Sequence, residues 1–190
     1  MNKIFLAMGL ACTLLGSAAW AQPAPAGARI AAQRSAMQPL AMMDGVWRGP
    51  AVTDLADGSK FSLTQTERVG AFLDGSVKVI EGRGYDKNGG VVFNAFGTIS
   101  FDPTSKKYSL HSYAQGYSGD HAMTLIDNGF VWELPAGPAI MRFTIIVKDG
   151  VWHEVGERIV AGATPVRFFE MKLKRVGDTS WPAGDAVPPK

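Results

Sequence analysis

The chain is almost free of cysteine. Its 190 residues include one, Cys12, which lies near the N-terminus. The N-terminal segment has the features of a cleaved leader, and its removal leaves no cysteine for a disulfide. A domain of about 150 residues buries roughly 70% of the surface that its unfolded chain exposes. We therefore expect a hydrophobic core alone to hold the fold.

The sequence also lacks an excess of charge of either sign. It has 19 Lys and Arg against 17 Asp and Glu, a net charge of +2, so it does not offer the basic surface that a nucleic-acid backbone requires. Hydrophobic residues make up 46% of the chain and charged residues 19%, which excludes a disordered polymer. One packed domain without a nucleic-acid partner is expected.

No apolar run is long enough to span a membrane. The run from Ile4 to Leu15 has 12 residues, against the roughly 20 that a transmembrane helix needs. It follows Lys3 and precedes Ala19-Trp20-Ala21, in which small residues occupy both cleavage-recognition positions. Residues 1–21 are predicted to be a signal peptide, and the mature protein is predicted to be periplasmic or secreted, without stable membrane insertion.

Lipidation at Cys12 stays open as an alternative to simple cleavage. The residue follows Leu10-Ala11, as in a lipobox, but Gly9 stands where a lipobox has leucine. Cleavage after Ala21, the predicted event, makes Gln22 the first residue of the mature protein.

The residue composition and the hydrophobic pattern change along the mature chain. Residues 22–39 combine a Pro/Ala-rich linker with a short helix over Arg29–Met37, which Pro39 ends. From Gly45 onward, β-branched and aromatic residues alternate with polar ones. Turn pairs such as Asp57-Gly58 recur about every dozen residues, and such pairs join antiparallel neighbours.

This pattern predicts an all-β fold, an antiparallel up-and-down meander of about eight to ten strands with a short N-terminal helix. An open meander exposes two strand edges, so closure into a β-barrel is expected. The barrel domain is predicted over residues 40–176. Residues 177–190, which include three prolines, are predicted to be a flexible tail that extends outward.

Two features resemble a known family. Gly45-Val46-Trp47 follows the short helix, and Lys174-Arg175 ends the last predicted strand. These resemble the G-x-W start and the closing Arg of lipocalin-like (calycin) barrels, most closely the uncharacterised secreted bacterial barrels of this superfamily. The resemblance implies that Trp47 and Arg175 are structural residues, with the Trp at the closed end of the barrel and the Arg stacked over it.

The predicted hairpin at Asp149-Gly150 indicates which side chains point inward. A two-residue turn sets the strand register, and alternation then sets the faces. Glu154 and Arg158 fall on the same face as Phe143 and Ile145. Because that face is apolar, all four side chains are predicted to point inward.

The hairpin predicted at Asp74-Gly75 leads to a similar result. It pairs Arg68 with Glu81 at the end of an apolar stretch, so these two are also predicted to point inward. An inward carboxylate is costly unless it is paired, hydrated or used, which favours a polar region within a cavity. The alternative is that strand twist or a bulge turns these charges to the rim, where they form ordinary salt bridges.

The histidines do not predict a metal site. A turn at Asn128-Gly129 pairs Leu125 with Trp132 and places His121 and Trp132 on an apolar inner face, while the other two histidines fall outside. Three histidines that do not converge cannot form a zinc site. His121 has two alternative roles, as an axial haem ligand with Met123 nearby or as a buried histidine bonded to a neighbouring hydroxyl.

No catalytic residue is assigned. The segment 116–121 contains Ser, Asp and His, but adjacent loop residues cannot form a catalytic triad. Glu154 and Glu81 could form an acid/base pair across the barrel, which keeps an enzyme as an alternative.

We therefore predict a barrel that binds a small, partly apolar molecule, with an anionic ligand among the options and no cofactor required. The alternatives are an enzyme acting on such a molecule through an inward carboxylate, and a haem-binding barrel. The predicted ligand-binding residues are Arg68, Glu81, His121, Trp132, Phe143, Glu154 and Arg158.

Overall fold

The computed structural model describes residues 24–182. The predicted signal peptide, including Cys12, lies outside these residues, as do residues 183–190 of the predicted tail. Helix α1 spans Ala26–Met37, and 3-10 helices span Gln38–Met43 and Leu73–Gly75. The strands are β1 (Gly45–Asp54), β2 (Lys60–Phe72), β3 (Val77–Tyr85), β4 (Val91–Asp102), β5 (Lys107–Ala114), β6 (Tyr117–Ile126), β7 (Gly129–Ala136), β8 (Ala139–Lys148), β9 (Val151–Val160) and β10 (Val166–Gly177).

The ten described strands form one closed antiparallel barrel. Each strand pairs with the next along the chain, and β1 closes the barrel by pairing with β10. Closure leaves no unpaired strand edge within the described barrel. The predicted up-and-down β-barrel with a short N-terminal helix is therefore confirmed.

The helical segment closes one end of this barrel. Pro39 has no backbone N–H to continue α1, and the chain tightens into the 3-10 helix that follows. Met37, Leu40 and Met43 are buried in the same core as Trp47. The opposite end of the barrel carries the loops β1–β2, β3–β4, β5–β6, β7–β8 and β9–β10.

Trp47 is the largest fully buried side chain of the closed end. It is 1% exposed, and its indole Nε1 donates a hydrogen bond to the carbonyl oxygen of Met43 at 2.8 Å. Its ring meets that of Trp152 edge to face, with centroids 5.9 Å apart. The structural role that the resemblance implied for Trp47 matches this position.

Arg175 pairs in register with Trp47, but the described residues show no cation–π contact between the two, so the stacking that the resemblance implied is absent. It lies over Gly45, where an added Cβ would come within 2.9 Å of its Nε. Its nitrogens donate to the carbonyl oxygen of Asp44 and, at 2.5 Å, to the carboxylate of Asp178. These oxygens accept hydrogen bonds from the guanidinium, and the bond to the Asp178 carboxylate is charge-assisted, which corrects the stacked position that the resemblance implied.

The hairpin predicted at Asp149-Gly150 is present with the expected register. Both turn residues have positive φ, 52° and 73°, as a two-residue hairpin turn requires. Phe143 pairs with Gly156, and Ile145 pairs with Glu154.

The turn predicted at Asn128-Gly129 is displaced by one residue. The turn residues are Asp127 and Asn128, and Met123 rather than Leu125 pairs with Trp132. Gly129 belongs to β7, where an added Cβ would lie 1.8 Å from the carbonyl oxygen of Ile145. This glycine allows a close approach between strands instead of forming the turn. The pairing shifts by two residues, so the predicted faces of β6 and β7 are unchanged.

The described part of the tail returns to the barrel surface. The ring of Trp181 meets that of Phe72 edge to face, with centroids 5.9 Å apart. The guanidinium of Arg68 lies 5.6 Å from the centroid of the Trp181 ring. The expectation of an outward tail is therefore wrong for this residue.

Two features are absent from the described residues. Between residues 24 and 182, no helix is both long and apolar enough to cross a membrane. The same residues contain no group of three or more His, Cys, Asp or Glu side chains arranged to hold a metal ion.

Candidate ligand-binding site

The barrel encloses a cavity of about 390 Å³. This volume lies in the range of sites that hold small organic molecules. Its walls come from strands on both sides of the barrel and are mainly apolar. The lining residues are Gln65, Glu67, Ile80, Gly82, Phe93, Ala95, Phe96, Gly97, Leu110, Ser112, Ala114, Phe130, Trp132, Phe143, Ile145, Trp152, Glu154, Phe168, Phe169 and Met171.

One wall of the cavity is aromatic. The rings of Trp132 and Phe143 stack, with centroids 4.5 Å apart and an angle of 11° between their planes. Phe168 and Phe169 each meet Phe143 edge to face. Gly156 makes room for this cluster, since an added Cβ would lie 2.9 Å from Phe168. Trp132 and Phe143 thus lie on the inner face predicted for them.

Glu154 also points into the cavity, as the Asp149-Gly150 register predicted. Its carboxylate accepts a hydrogen bond from the indole Nε1 of Trp152 at 3.3 Å. Desolvation raises the pKa of Glu154 to about 7, and this hydrogen bond offsets the rise only in part.

Glu67 is a second cavity acid, which the sequence reasoning missed. It lies on β2, is 8% exposed, and accepts a hydrogen bond from the Gln65 amide at 2.7 Å. Desolvation is the main cause that raises the pKa of Glu67 to about 8, and the charges of Glu154 and Glu81 raise it further. Gly82 leaves space for the carboxylate, because an added Cβ would lie 2.7 Å from Glu67 Oε1.

Arg68 and Glu81 are paired as predicted, but both point away from the cavity. On β2 the inward positions are held by Gln65, Glu67 and Val69 instead. Trp181 covers the apolar stretch around Gly70 from outside the barrel, since an added Cβ on Gly70 would lie 2.8 Å from Trp181. The apolar stretch therefore belongs to the outer face, and the faces predicted for Arg68 and Glu81 are reversed.

Glu81 is engaged on the outer surface. Its carboxylate accepts from the guanidinium of Arg83, with Nη2 and Oε1 2.5 Å apart. The alternative of an ordinary salt bridge therefore describes Glu81, and the predicted acid/base pair of Glu81 with Glu154 is wrong. The acid that shares the cavity with Glu154 is Glu67.

Arg158 is exposed and does not line the cavity. It has the register of the inner face, where it pairs with Met141, but it lies two residues from the end of β9. A long side chain at that position can place its guanidinium in solvent. The prediction that Arg158 points inward is therefore wrong, and its guanidinium does not compensate the charge of Glu154.

His121 lies beside the cavity lining. Its Nε2 and the hydroxyl of Ser112 are 2.9 Å apart and share a hydrogen bond, and its ring centroid lies 5.0 Å from that of Trp132. Desolvation is the main cause that lowers its pKa. The bonded-hydroxyl alternative describes this residue, and Met123 is buried in the core. These contacts do not provide a free imidazole for haem in the cavity.

Comparison with known proteins identifies the fold. No protein-family model matches the sequence, and no curated protein matches it. Rv2717c from M. tuberculosis is similar in structure, with a TM-score of 0.56 at 10% identity over 74% of this chain and 97% of its own. The S-type phycobiliprotein lyase CPES from Guillardia theta matches with a TM-score of 0.50 at 13% identity, over 73% of this chain and 90% of its own.

The fold is a closed antiparallel barrel of ten described strands, which fits the lipocalin-like (calycin) barrel that the sequence resembles. At these identities the likeness shows the fold alone, and the cavity is the feature of the molecule that bears on its function. The cavity combines an aromatic wall, which suits a flat apolar group, with two carboxyl groups, which suit a polar group on the same molecule.

Proposed function

We propose that this chain is an exported barrel that binds a small molecule with a flat apolar body and one polar group. The apolar body packs against the stacked rings of Trp132 and Phe143, and the polar group meets Glu67 and Glu154. The observation that carries the proposal is an aromatic-lined cavity of about 390 Å³ that contains two carboxyl groups.

The fold supports a role of this type. Barrels with a side-chain plug at one end and a cavity at the other are suited to holding one small ligand. The shared fold of the S-type phycobiliprotein lyase is consistent with a small-molecule role. An anionic ligand was one of the options from the sequence because Arg68 and Arg158 were predicted to point inward, and it is not proposed because the cavity lining contains no arginine.

Binding can be tested with the neutral apolar fluorophore N-phenyl-1-naphthylamine, whose emission rises when it leaves water. We expect saturable binding to the wild-type protein with one site per chain. Ala95→Trp fills the cavity and should weaken binding at least about tenfold.

Asn94→Trp provides the matched control, because Asn94 is the exposed neighbour of Ala95 on β4 and does not line this cavity. It should bind as the wild type does. Equal affinity in Ala95→Trp and Asn94→Trp, with both variants folded by circular dichroism, would contradict the cavity as the site.

A second candidate function is acid–base chemistry on the bound molecule. The pKa values of about 7 for Glu154 and about 8 for Glu67 are close to neutral pH, where a carboxyl group can both give and take a proton. An enzyme would convert a ligand recovered from the protein, and Glu154→Gln would stop conversion while retaining the ligand. A binding protein would return the ligand unchanged.

A further inference from the structure

We propose that the ligand is an organic cation, a flat apolar molecule whose protonated nitrogen sits between Glu67 and Glu154 and faces the aromatic wall. This inference rests on the proposed function and adds the charge of the ligand to it. The structure points to a cation through the charge of the cavity lining, the free oxygen of Glu67 and the ring faces.

The charged groups that line the cavity are of one sign. Glu67 and Glu154 belong to the lining, which contains no Lys, Arg or His side chain. Their electrostatic repulsion contributes to holding Glu67 protonated near neutral pH. A ligand with one positive charge would remove that repulsion, whereas an anion would add to it.

Glu67 is positioned to receive a further donor. Oε1 accepts from the Gln65 amide, and among residues 24–182 the structure assigns no hydrogen-bond donor to Oε2. The residue is more than nine-tenths buried and belongs to the cavity lining. Gly82 leaves the space in which the carboxylate sits. A buried carboxylate with a free oxygen at a cavity wall suits an ammonium group.

The nearby titratable groups on other strands do not neutralise this pair. Lys78 on β3 is bonded to the Asp44 carboxylate at 2.6 Å, near the closed end. His121 on β6 is bonded to a serine hydroxyl, and Tyr108 on β5 donates to a helix carbonyl. Glu81 on β3 contributes to the raised pKa of Glu67 from the outer surface, where the Glu81 carboxylate is itself paired with Arg83.

The aromatic wall favours the same ligand class. Ring faces carry negative electrostatic potential, and a cation within about 6 Å of a ring centroid is attracted to it. Trp132, Phe143, Phe168 and Phe169 line the cavity together with the two acids. A neutral ligand gains packing from these rings, and a cation gains this attraction in addition.

Binding of a cation should therefore be linked to proton release. A bound ammonium group stabilises the ionised carboxylates, so the affinity should rise as pH increases from 6 to 8. A neutral ligand of the same shape does not require ionised carboxylates and should not show this rise.

Isothermal titration calorimetry with three naphthalene derivatives tests the proposal. The probes are 2-naphthylmethylamine, 2-naphthylmethanol and 2-naphthoic acid, which share the ring system and differ in charge. At pH 8 the amine should bind at least about tenfold more tightly than the alcohol, and the acid should bind most weakly. At pH 6 the advantage of the amine should shrink.

Variants assign the effect to the two acids. Glu67→Gln and Glu154→Gln should each reduce the preference for the amine over the alcohol at pH 8. Glu157→Gln is the matched control, since Glu157 neighbours Arg158 on β9 and does not line the cavity. It should keep the full preference.

The two proposals fail in different ways. If the alcohol or the acid binds as tightly as the amine at pH 8, or if both cavity variants keep the preference, the cationic ligand is wrong and the binding function stands. If none of the three probes binds and N-phenyl-1-naphthylamine does not bind, both are wrong.

Discussion

Glu67 and Glu154 show how one environment changes the chemistry of an ordinary carboxyl group. Both have a usual pKa of 4.5, and burial beside the cavity raises the pKa of Glu67 to about 8 and that of Glu154 to about 7. A native carboxyl with a raised pKa keeps a proton that the unfolded chain has already lost. Such a group stabilises the fold at low pH, and its contribution declines as pH rises from 4.5 through the native pKa.

The first prediction follows from this sign. Glutamine cannot ionise, so Glu67→Gln should gain stability relative to the wild type as pH rises, by about 1 kcal/mol or more between pH 5 and pH 8. Urea unfolding of both proteins at several pH values measures the difference. Glu157→Gln is the control. A stability difference between Glu67→Gln and wild type that is constant with pH would contradict the buried, protonated state of Glu67.

The second prediction concerns Trp47. Truncation of a fully buried aromatic side chain leaves a cavity and removes its hydrogen bond to Met43, so Trp47→Ala should lower the free energy of unfolding by ~3 kcal/mol or more. Chemical denaturation measures this loss. A loss below about 1 kcal/mol would show that the closed end is not packed around this residue.

At the residue scale, the sequence predicted part of the site. Glu154, Trp132 and Phe143 were predictable, because the Asp149-Gly150 turn and an apolar stripe indicate the same inner face. Glu67 was not, because it follows Gln65 on a polar stripe of β2 that resembles an outer face. The inner face of β2 borders the cavity, and a cavity wall can contain polar side chains such as those of Gln65 and Glu67. Polarity alone therefore does not identify the outer face of this strand.

At the scale of single elements, the turn predicted at Asp149-Gly150 is present, whereas the turn predicted at Asn128-Gly129 is displaced by one residue. Asp149-Gly150 forms the turn that its sequence indicates. At Asn128-Gly129 the glycine is required by a close approach to Ile145, and Asn128 takes the positive φ of the turn instead. Local turn propensity alone cannot distinguish these two uses of glycine, because the second depends on a strand distant in sequence.

The outer face of β2 explains why the faces predicted for Arg68 and Glu81 were wrong. Gly70 and Phe72 form an apolar stretch that predicted an inner face, but Trp181 covers it from outside. Tertiary covering by a segment beyond the last strand has no signal in the alternation of β2 itself. Arg68 and Glu81 were consequently assigned to the wrong face.

The third prediction tests this cover. Trp181→Ala exposes Phe72 and removes the contact with Arg68, and it should cost ~1 to 2 kcal/mol of stability. Binding of N-phenyl-1-naphthylamine should not change, because Trp181 contacts the outer surface. Unchanged stability would show that the segment does not pack on β2, and a large loss of binding would show that it supports the cavity.

At the scale of the whole molecule, the closed barrel was predictable from the regular spacing of turns. Ten antiparallel strands joined by short loops bury their edges only by closing, and β1 meets β10 as this requires. The share of the interior left as a cavity was not predictable, because it depends on side-chain packing across strands that are far apart in sequence.

The fourth prediction is that the mature protein begins at Gln22. Export should remove residues 1–21 after the small residues at positions 19 and 21. N-terminal sequencing and intact mass measurement of protein from its own cells test this. A chain that retains Met1, or one that starts at a lipid-modified Cys12, would contradict the predicted cleavage.

Native mass spectrometry of protein purified from its own cells tests the central claim most directly. The wild-type protein should carry one small molecule, seen as a single added mass that collisional activation removes. Ala95→Trp, prepared in the same way, should appear at its bare mass, and Asn94→Trp should carry the same added mass as the wild type. Bare protein in all three preparations, or an identical adduct on Ala95→Trp, would contradict the account of the barrel as a small-molecule-binding protein.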